Sequence, residues 1–132
     1  MPNTTPFLSI ITVVYNNLSG LIHTFESIKS QTCTDYEWIV IDGGSKDGTK
    51  EWLSKLDMEN MQYVSEKDQG LYDAMNKGLT RASGAYVWFM NSGDSIFSMD
   101  TVQILKTCSL GKDVLYGETM LVDVSGKALG IR

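Results

Sequence analysis

At 132 residues, with 42% hydrophobic and 20% charged side chains, the chain has enough material for one domain with a real core, and its composition excludes a disordered polymer. A formal net charge of −5 without any basic run or stripe argues against a nucleic-acid-binding module. An acidic protein that takes a phosphorylated ligand needs local help from backbone N–H groups, a few placed cations or a divalent metal.

Phe7–Val14, "FLSIITVV", is a continuous β-branched run and predicts a strand buried on both faces, as in parallel sheets. "YNNLSG" breaks it, and Leu18–Gln31 follows with Leu21, Ile22, Phe25 and Ile28 at helical spacing. Trp38–Ile41 is a second buried strand, ended by "DGGSKDGT". Thr49–Leu56 predicts a short helix with Trp52, Leu53 and Leu56 on one face, and Met61–Ser65 a third strand. "EKDQG" leads into a helix over Leu71–Arg81, closed by Ser83-Gly84. Ala85–Met90 is the fourth strand, opening on the buried run "AYVW", and "NSGD" follows it. Met99–Lys106 is expected to be helical, then strands over Asp113–Gly117 and Thr119–Val124 with a turn at Ser125-Gly126. Alternation of strands and helices through residue 106 predicts an open, mostly parallel, three-layer α/β/α sheet of Rossmann-like type with right-handed crossovers. Such sheets bind ligands outside the carboxyl ends of their strands. The four polar clusters "YNN", "DGGSKDGT", "EKDQG" and "NSGD" are therefore expected at one edge.

Several familiar motifs are absent or fail. There is no GxxxxGK[ST], and no GxGxxG follows the first strand. "DGGSKDGTKEWL" has its glycine at the seventh position of a would-be calcium loop, which needs it at the sixth. Cys33 and Cys108 have no paired spacing and are expected as reduced thiols. His23 is the lone histidine, so chemistry built on several is excluded. No signal peptide is expected from "MPNTTP", and no stretch approaches the roughly 18 apolar residues of a membrane span. The expected location is cytoplasmic.

Asp42 has two readings, a turn residue bonding its own loop or a ligand contact. Ser45 and Asp47 are expected to cap the next helix. Tyr72 and Asn76 share one face of the third helix, and Asp73 with Lys77 an adjoining one, most simply as an ion pair. Asn is a poor helix former, so Asn76 is expected to bond back to the preceding loop. Asp94 either caps the following helix or holds a metal whose shell a diphosphate completes.

Together, "LSIITVVYNN", "SIKSQTCTDYEWIVIDGGSKDGT", "SEKDQGLYDAMNKGLTRASGAYVWFMNSGD" and, more weakly, "DVLYGE" resemble the N-terminal half of a family 2 glycosyltransferase with the GT-A fold. The likeness covers nearly all of residues 7–120 and is similar to bacterial enzymes that build surface polysaccharides. It implies inverting transfer of a sugar from a nucleoside diphosphate donor to the hydroxyl of a saccharide or lipid-linked acceptor, with association at the inner face of the membrane an option for the whole protein. It implies that Thr12 and Tyr15, with Asn16, lie by the nucleobase, and that Asp42 and Gly43 form the acidic motif after the second strand. Asp68, Gly70 and Asn76 would line the nucleotide and donor-sugar side. Asn91 and Ser92 would flank Asp94 at the place of the DxD motif, where Mn²⁺ or Mg²⁺ sits on the diphosphate.

Three departures accompany the resemblance. Gly43 stands where many relatives carry a second acid that contacts the base. Asn91 and Gly93 stand where acids are common, leaving Asp94 as the sole carboxylate. The family's general base, an Asp or Glu, falls past Arg132, and Asp113, Glu118 and Asp123 come too early for it. The chain is accordingly expected to be a single nucleotide-sugar-binding domain, 1–132, cut before the acceptor half and by itself poorly active. Two alternatives are a non-catalytic sugar-nucleotide-binding module and a nucleotidyltransferase; the latter would usually bring a basic loop after the first strand.

Overall fold

The computed structural model describes residues 5–109, 111, 120–122 and 128–131. Four parallel strands form the main sheet: β1 (Leu8–Val14), β2 (Tyr36–Asp42), β3 (Met61–Ser65) and β4 (Tyr86–Phe89). Their order is β3-β2-β1-β4, in register from Leu8↔Tyr36 to Val14↔Asp42 on one side of β1 and from Leu8↔Tyr86 to Ile11↔Phe89 on the other. The chain therefore steps from β1 outward through β2 to β3, then returns to the opposite side of β1. That reversal is the topological switch point at which open α/β sheets bind ligands.

The helices are α1 (Leu18–Lys29), α2 (Thr49–Ser54), α3 (Leu71–Arg81) and α4 (Thr101–Cys108). One face of the sheet carries Leu8, Ile10, Val14, Trp38 and Val40, covered by Leu21, Phe25 and Ile28 of α1, Leu53 of α2 and Val102 of α4. Phe25 stacks on Trp38 at 5.7 Å and meets Trp52 edge-on at 5.3 Å. Burying side chains of this size contributes about 1.5–3 kcal/mol each. The opposite face presents Ile11, Ile39 and Ile41 to Ala74 of α3. These are the three expected layers, built by the alternation of successive strand residues to opposite faces.

Element bounds differ from expectation at the ends. The second strand is longer, Tyr36–Asp42, because it pairs along the whole length of β1. Helix α1 stops at Lys29, where the Ser30 N–H closes the last turn on Glu26. The fourth strand is half-exposed instead of buried, with Val87 and Phe89 on an open face. It is an edge of the described sheet, and α3 packs over β1 and β2 instead. A separate antiparallel pair joins β5 (Met120–Val122) to β6 (Ala128–Ile131), a strand not foreseen. The strand and turn expected over Asp113–Gly117 and Ser125-Gly126 lie outside the described residues. Cys33 and Cys108 are free thiols, and no helix among the described residues is long and apolar enough to cross a membrane.

Candidate active site

The four polar clusters do meet at the carboxyl edge, and hydrogen bonds join them into one rim. The loops after β1 and β2 clasp each other. The Asn16 N–H donates to Ser45 Oγ at 2.7 Å, and the Lys46 N–H donates to Asn16 Oδ1 at 2.8 Å. Asn16 has φ 49°, the only positive value at a non-glycine among the described residues. Asn tolerates that left-handed conformation better than most side chains. Asp47 Oδ2 accepts the first N–H of α1, at Leu18, at 2.9 Å, while Asn17 Oδ1 caps Gly20. The hydroxyl of Thr49, partial burial working against it, and the Leu18 N–H hold the Asp47 carboxyl below its ordinary range. Asp47 thus opens α2 only through Thr49 and spends its other oxygen on α1, and Ser45 bonds between loops instead of capping.

Asp42 is fully buried. Its Oδ1 accepts from the N–H and hydroxyl of Ser45, and its Oδ2 from Ser65 Oγ at 2.7 Å. The side chain therefore binds the second loop to the end of β3. Gly43 lies directly against Asp68: a Cβ at position 43 would fall 2.7 Å from Asp68 Oδ2. The space where relatives of the family place a second acid borders the Asp68 carboxylate, whose Oδ1 accepts the Gly70 N–H at 3.0 Å. In α3, Asn76 is exposed and makes no bond back to the loop. Its neighbours do that work: Asp73 accepts the Gln69 N–H at 2.9 Å, and Lys77 bridges Glu66 at 3.2 Å, Asp73 and the Lys67 carbonyl. Partial desolvation lowers the Lys77 ammonium, but its acidic partners outweigh that and raise it.

Thr12, expected beside the nucleobase, is fully buried, and its hydroxyl accepts the Trp38 indole N–H at 2.9 Å. Strand alternation puts position 12 on the α1 face, two residues short of the strand's end. Tyr15, just past that end, is 63% exposed and does stand at the edge.

The turn Asn91-Ser92-Gly93-Asp94 occupies the switch point beside β1. It closes through the Asp94 N–H to the Asn91 carbonyl at 3.0 Å, with Gly93 at φ 100°, as a type II turn requires at its third position. Ser92 donates its N–H to the Val13 carbonyl at 3.1 Å, and Asn17 Nδ2 reaches Ser92 Oγ at 3.3 Å. Helix α4 begins at Thr101, seven positions on, so Asp94 does not cap it. The Asp94 carboxylate is exposed and no group among the described residues bonds it. No cluster of three His, Cys, Asp or Glu side chains exists among the described residues. A lone, unengaged carboxylate on a hydrogen-bonded turn suits a hard cation that takes its other ligands from substrate phosphate and water. By contrast, a surface groove lined by Phe25, Lys29, Tyr36, Lys55 and Met58 opens at the amino ends of the strands, away from the rim.

Three residues that pattern reading assigned no role hold this turn and the segment after it: Thr24 and Ser27 of α1, and Gln31 just past its end. Thr24 and Gln31 are buried polar groups at helical spacing on the apolar side, which was the available signal.

Residues 9–126 match the family described as Glycosyl transferase family 2. An uncharacterized glycosyltransferase of Mycobacterium tuberculosis is 42% identical over 98 residues, 74% of this chain and 37% of that protein. A PGL/p-HBAD biosynthesis glycosyltransferase of Mycobacterium bovis is 32% identical over 123 residues, 88% of this chain and 48% of that protein. The chain thus spans under half the length of these curated relatives. Among solved structures, the mannosyltransferase PcManGT of Pyrobaculum calidifontis, in complex with GDP-Man and Mn²⁺, superposes with a TM-score of 0.71 at 21% identity, over 92% of this chain and 37% of that one. S. aureus TarS 1–349 in complex with UDP-GlcNAc gives 0.68 at 19% identity, over 91% and 41%. Both likenesses show the GT-A fold. The chain belongs to glycosyl transferase family 2.

Proposed function

We propose that this chain is the donor-binding part of an inverting glycosyltransferase that moves a sugar from a nucleoside diphosphate to an acceptor hydroxyl in bacterial polysaccharide or glycoconjugate synthesis. The observation that carries the proposal is the free Asp94 carboxylate on a hydrogen-bonded turn at the switch point, inside a rim of four hydrogen-bonded loops. Supporting it, structural neighbours of the same fold were solved with GDP-Man and Mn²⁺ and with UDP-GlcNAc.

In this reading Tyr15 offers its exposed ring to the base, beside Asn16. Asp68 and the start of α3 at Gly70, with Asn76 farther along it, face the nucleotide and donor sugar. Asp42 and Gly43 act indirectly, by shaping the second loop and making room for the Asp68 carboxylate. Asn91 and Ser92 fix the turn, and Asp94 is the protein's ligand to Mn²⁺ or Mg²⁺. Such a cation, when bound, neutralises charge developing on the leaving diphosphate. The acceptor hydroxyl attacks the anomeric carbon on the face opposite that leaving group, so configuration inverts. Its proton goes to a carboxylate base that we place, with the acceptor site, in the part of the protein this chain does not span. The proposed setting is the cytoplasmic side, at the membrane surface if the acceptor is lipid-linked.

The test is a thermal-shift and calorimetric panel of UDP, GDP and their sugars with and without Mn²⁺. Binding to the native state raises stability by mass action, about 2.7 kcal/mol at one hundred times Kd. Asp94→Asn is expected to abolish the metal-dependent part alone. No shift with any nucleotide, or a metal-dependent shift that survives Asp94→Asn, overturns the assignment.

A further inference from the structure

The segment from Asn91 to Val102 enters the core only at Ile96 and Val102, with Asp94, Phe97 and Met99 exposed. It is also held at regular intervals by side chains of α1 and of Gln31 just past its end. Thr24 Oγ1 accepts the Gly93 N–H at 3.0 Å and donates to the Asp94 carbonyl at 2.6 Å, its shortest acceptor. Ser27 Oγ accepts the Ile96 N–H at 3.0 Å. Gln31 donates Nε2–H to the Ser98 carbonyl at 2.7 Å and accepts the Val102 N–H at 3.0 Å. Positions 24, 27 and 31 lie at i, i+3 and i+7, the first two on one side of α1 and the third two residues past its last turn. A side-chain ladder on a packed helix thus sets the path of the backbone that carries the carboxylate.

Thr24 is the rung at the site. It is fully buried, in a stretch of α1 whose neighbours Leu21, Phe25 and Ile28 are core residues. A buried hydroxyl costs stability unless bonded, and here it is bonded on both sides of the Gly93–Asp94 peptide group. Such a double contact holds the two peptide groups that flank the Gly93–Asp94 unit, and through them the direction in which the Asp94 side chain leaves the backbone.

We infer that Thr24 is a positioning residue for Asp94: its hydroxyl holds the peptide groups on either side of the Gly93–Asp94 unit so that the carboxylate faces the donor's diphosphate. The inference rests on the assignment of Asp94 proposed above. The experiment compares wild type, Thr24→Val, Thr24→Ser and Asp94→Asn in the full chain. It uses two readouts: hydrogen exchange of the 91–96 backbone, and the affinity for UDP and GDP with and without Mn²⁺.

Thr24→Val keeps the side-chain shape and removes both bonds. It is expected to speed exchange in 91–96 while leaving β1 and β2 protected. It is also expected to weaken the Mn²⁺-dependent nucleotide affinity about fivefold, the equivalent of one lost hydrogen bond. Affinity without Mn²⁺ stays the same, and Thr24→Ser restores both readouts. Thr24→Ala is the second hydroxyl-free variant should the valine not fold. Unchanged exchange in 91–96 overturns the inference. So does faster exchange with unchanged Mn²⁺-dependent affinity while Asp94→Asn loses it, which leaves the site assignment standing. Retained affinity in Asp94→Asn overturns both, and is distinguished because it appears in that variant.

Discussion

Gly78 sets how closely α3 lies on the sheet, and Gly78→Ala puts that approach to the test. A Cβ at position 78 would fall 2.5 Å from Ile11 Cγ2, with Cδ1 at 3.3 Å and Cγ1 at 3.4 Å. Ile11 is fully buried and flanked in register by Ile39 and Phe89, so it cannot swing aside freely. Overpacking of this kind costs about 1–3 kcal/mol, and crowding by strand neighbours puts this site near the top of that range. Replacing a helical glycine by alanine returns about 1 kcal/mol. The expected net loss is about 2 kcal/mol, a fall in Tm of roughly 6–12 °C for a domain of this size. Ile11→Leu moves the branch from Cβ to Cγ and removes the colliding methyl, itself at a cost below about 1.5 kcal/mol. The double variant is therefore expected to lose less than the sum of the two single losses. Urea denaturation of all four proteins checks this. A Gly78→Ala chain as stable as wild type, or additivity within about 0.5 kcal/mol, refutes the claimed close approach.

Two further predictions concern side chains whose roles the structure assigned. Thr12→Val leaves the buried Trp38 indole N–H without its acceptor, so stability should fall by about 1–3 kcal/mol while nucleotide affinity stays unchanged; a loss of affinity at unchanged stability would return Thr12 to the site. Burial raises the Glu37 carboxyl, but hydrogen bonds from Ser9, Ser83 and Gly84 outweigh that and hold it below its ordinary range. A carboxyl depressed in the folded state contributes stability above its unfolded value, about 4.3, and loses it as pH falls through the folded one. Glu37→Gln should therefore flatten the loss of stability as pH drops below about 4.3. Urea midpoints from pH 7 to pH 3 that run parallel to wild type would contradict this.

The strands and helices were legible because each buries one periodic face. Unbroken β-branched runs announced β1 and β2, and the spacing of Leu21, Phe25 and Ile28 announced α1. The four polar breaks between them, on a parallel sheet, implied a single ligand edge before any contact was seen. Only β4 was misjudged in burial: its apolar run looks like that of β1, but whether a strand is flanked on both sides depends on topology, which a local run does not carry.

Within the site, the chain's own pattern supplied the residue types and their edge, and tertiary structure supplied their partners. Asp42 and Asp94 look equivalent in sequence, each an acid in a glycine-bearing polar cluster at a strand end. In the fold one is buried on Ser45 and Ser65 and the other is exposed and unengaged, because Asp42 ends β2 in register with Ser65 of β3 while the 91–94 turn is held through its backbone by α1. Thr12, two residues inside the end of β1 on the face that α1 covers, went to the core, and Tyr15, just past that end, to the edge. The ladder of Thr24, Ser27 and Gln31 joins residues about seventy positions apart. Local periodicity carries no information at that range; such contacts arise only when the sheet has brought α1 and the end of β4 together.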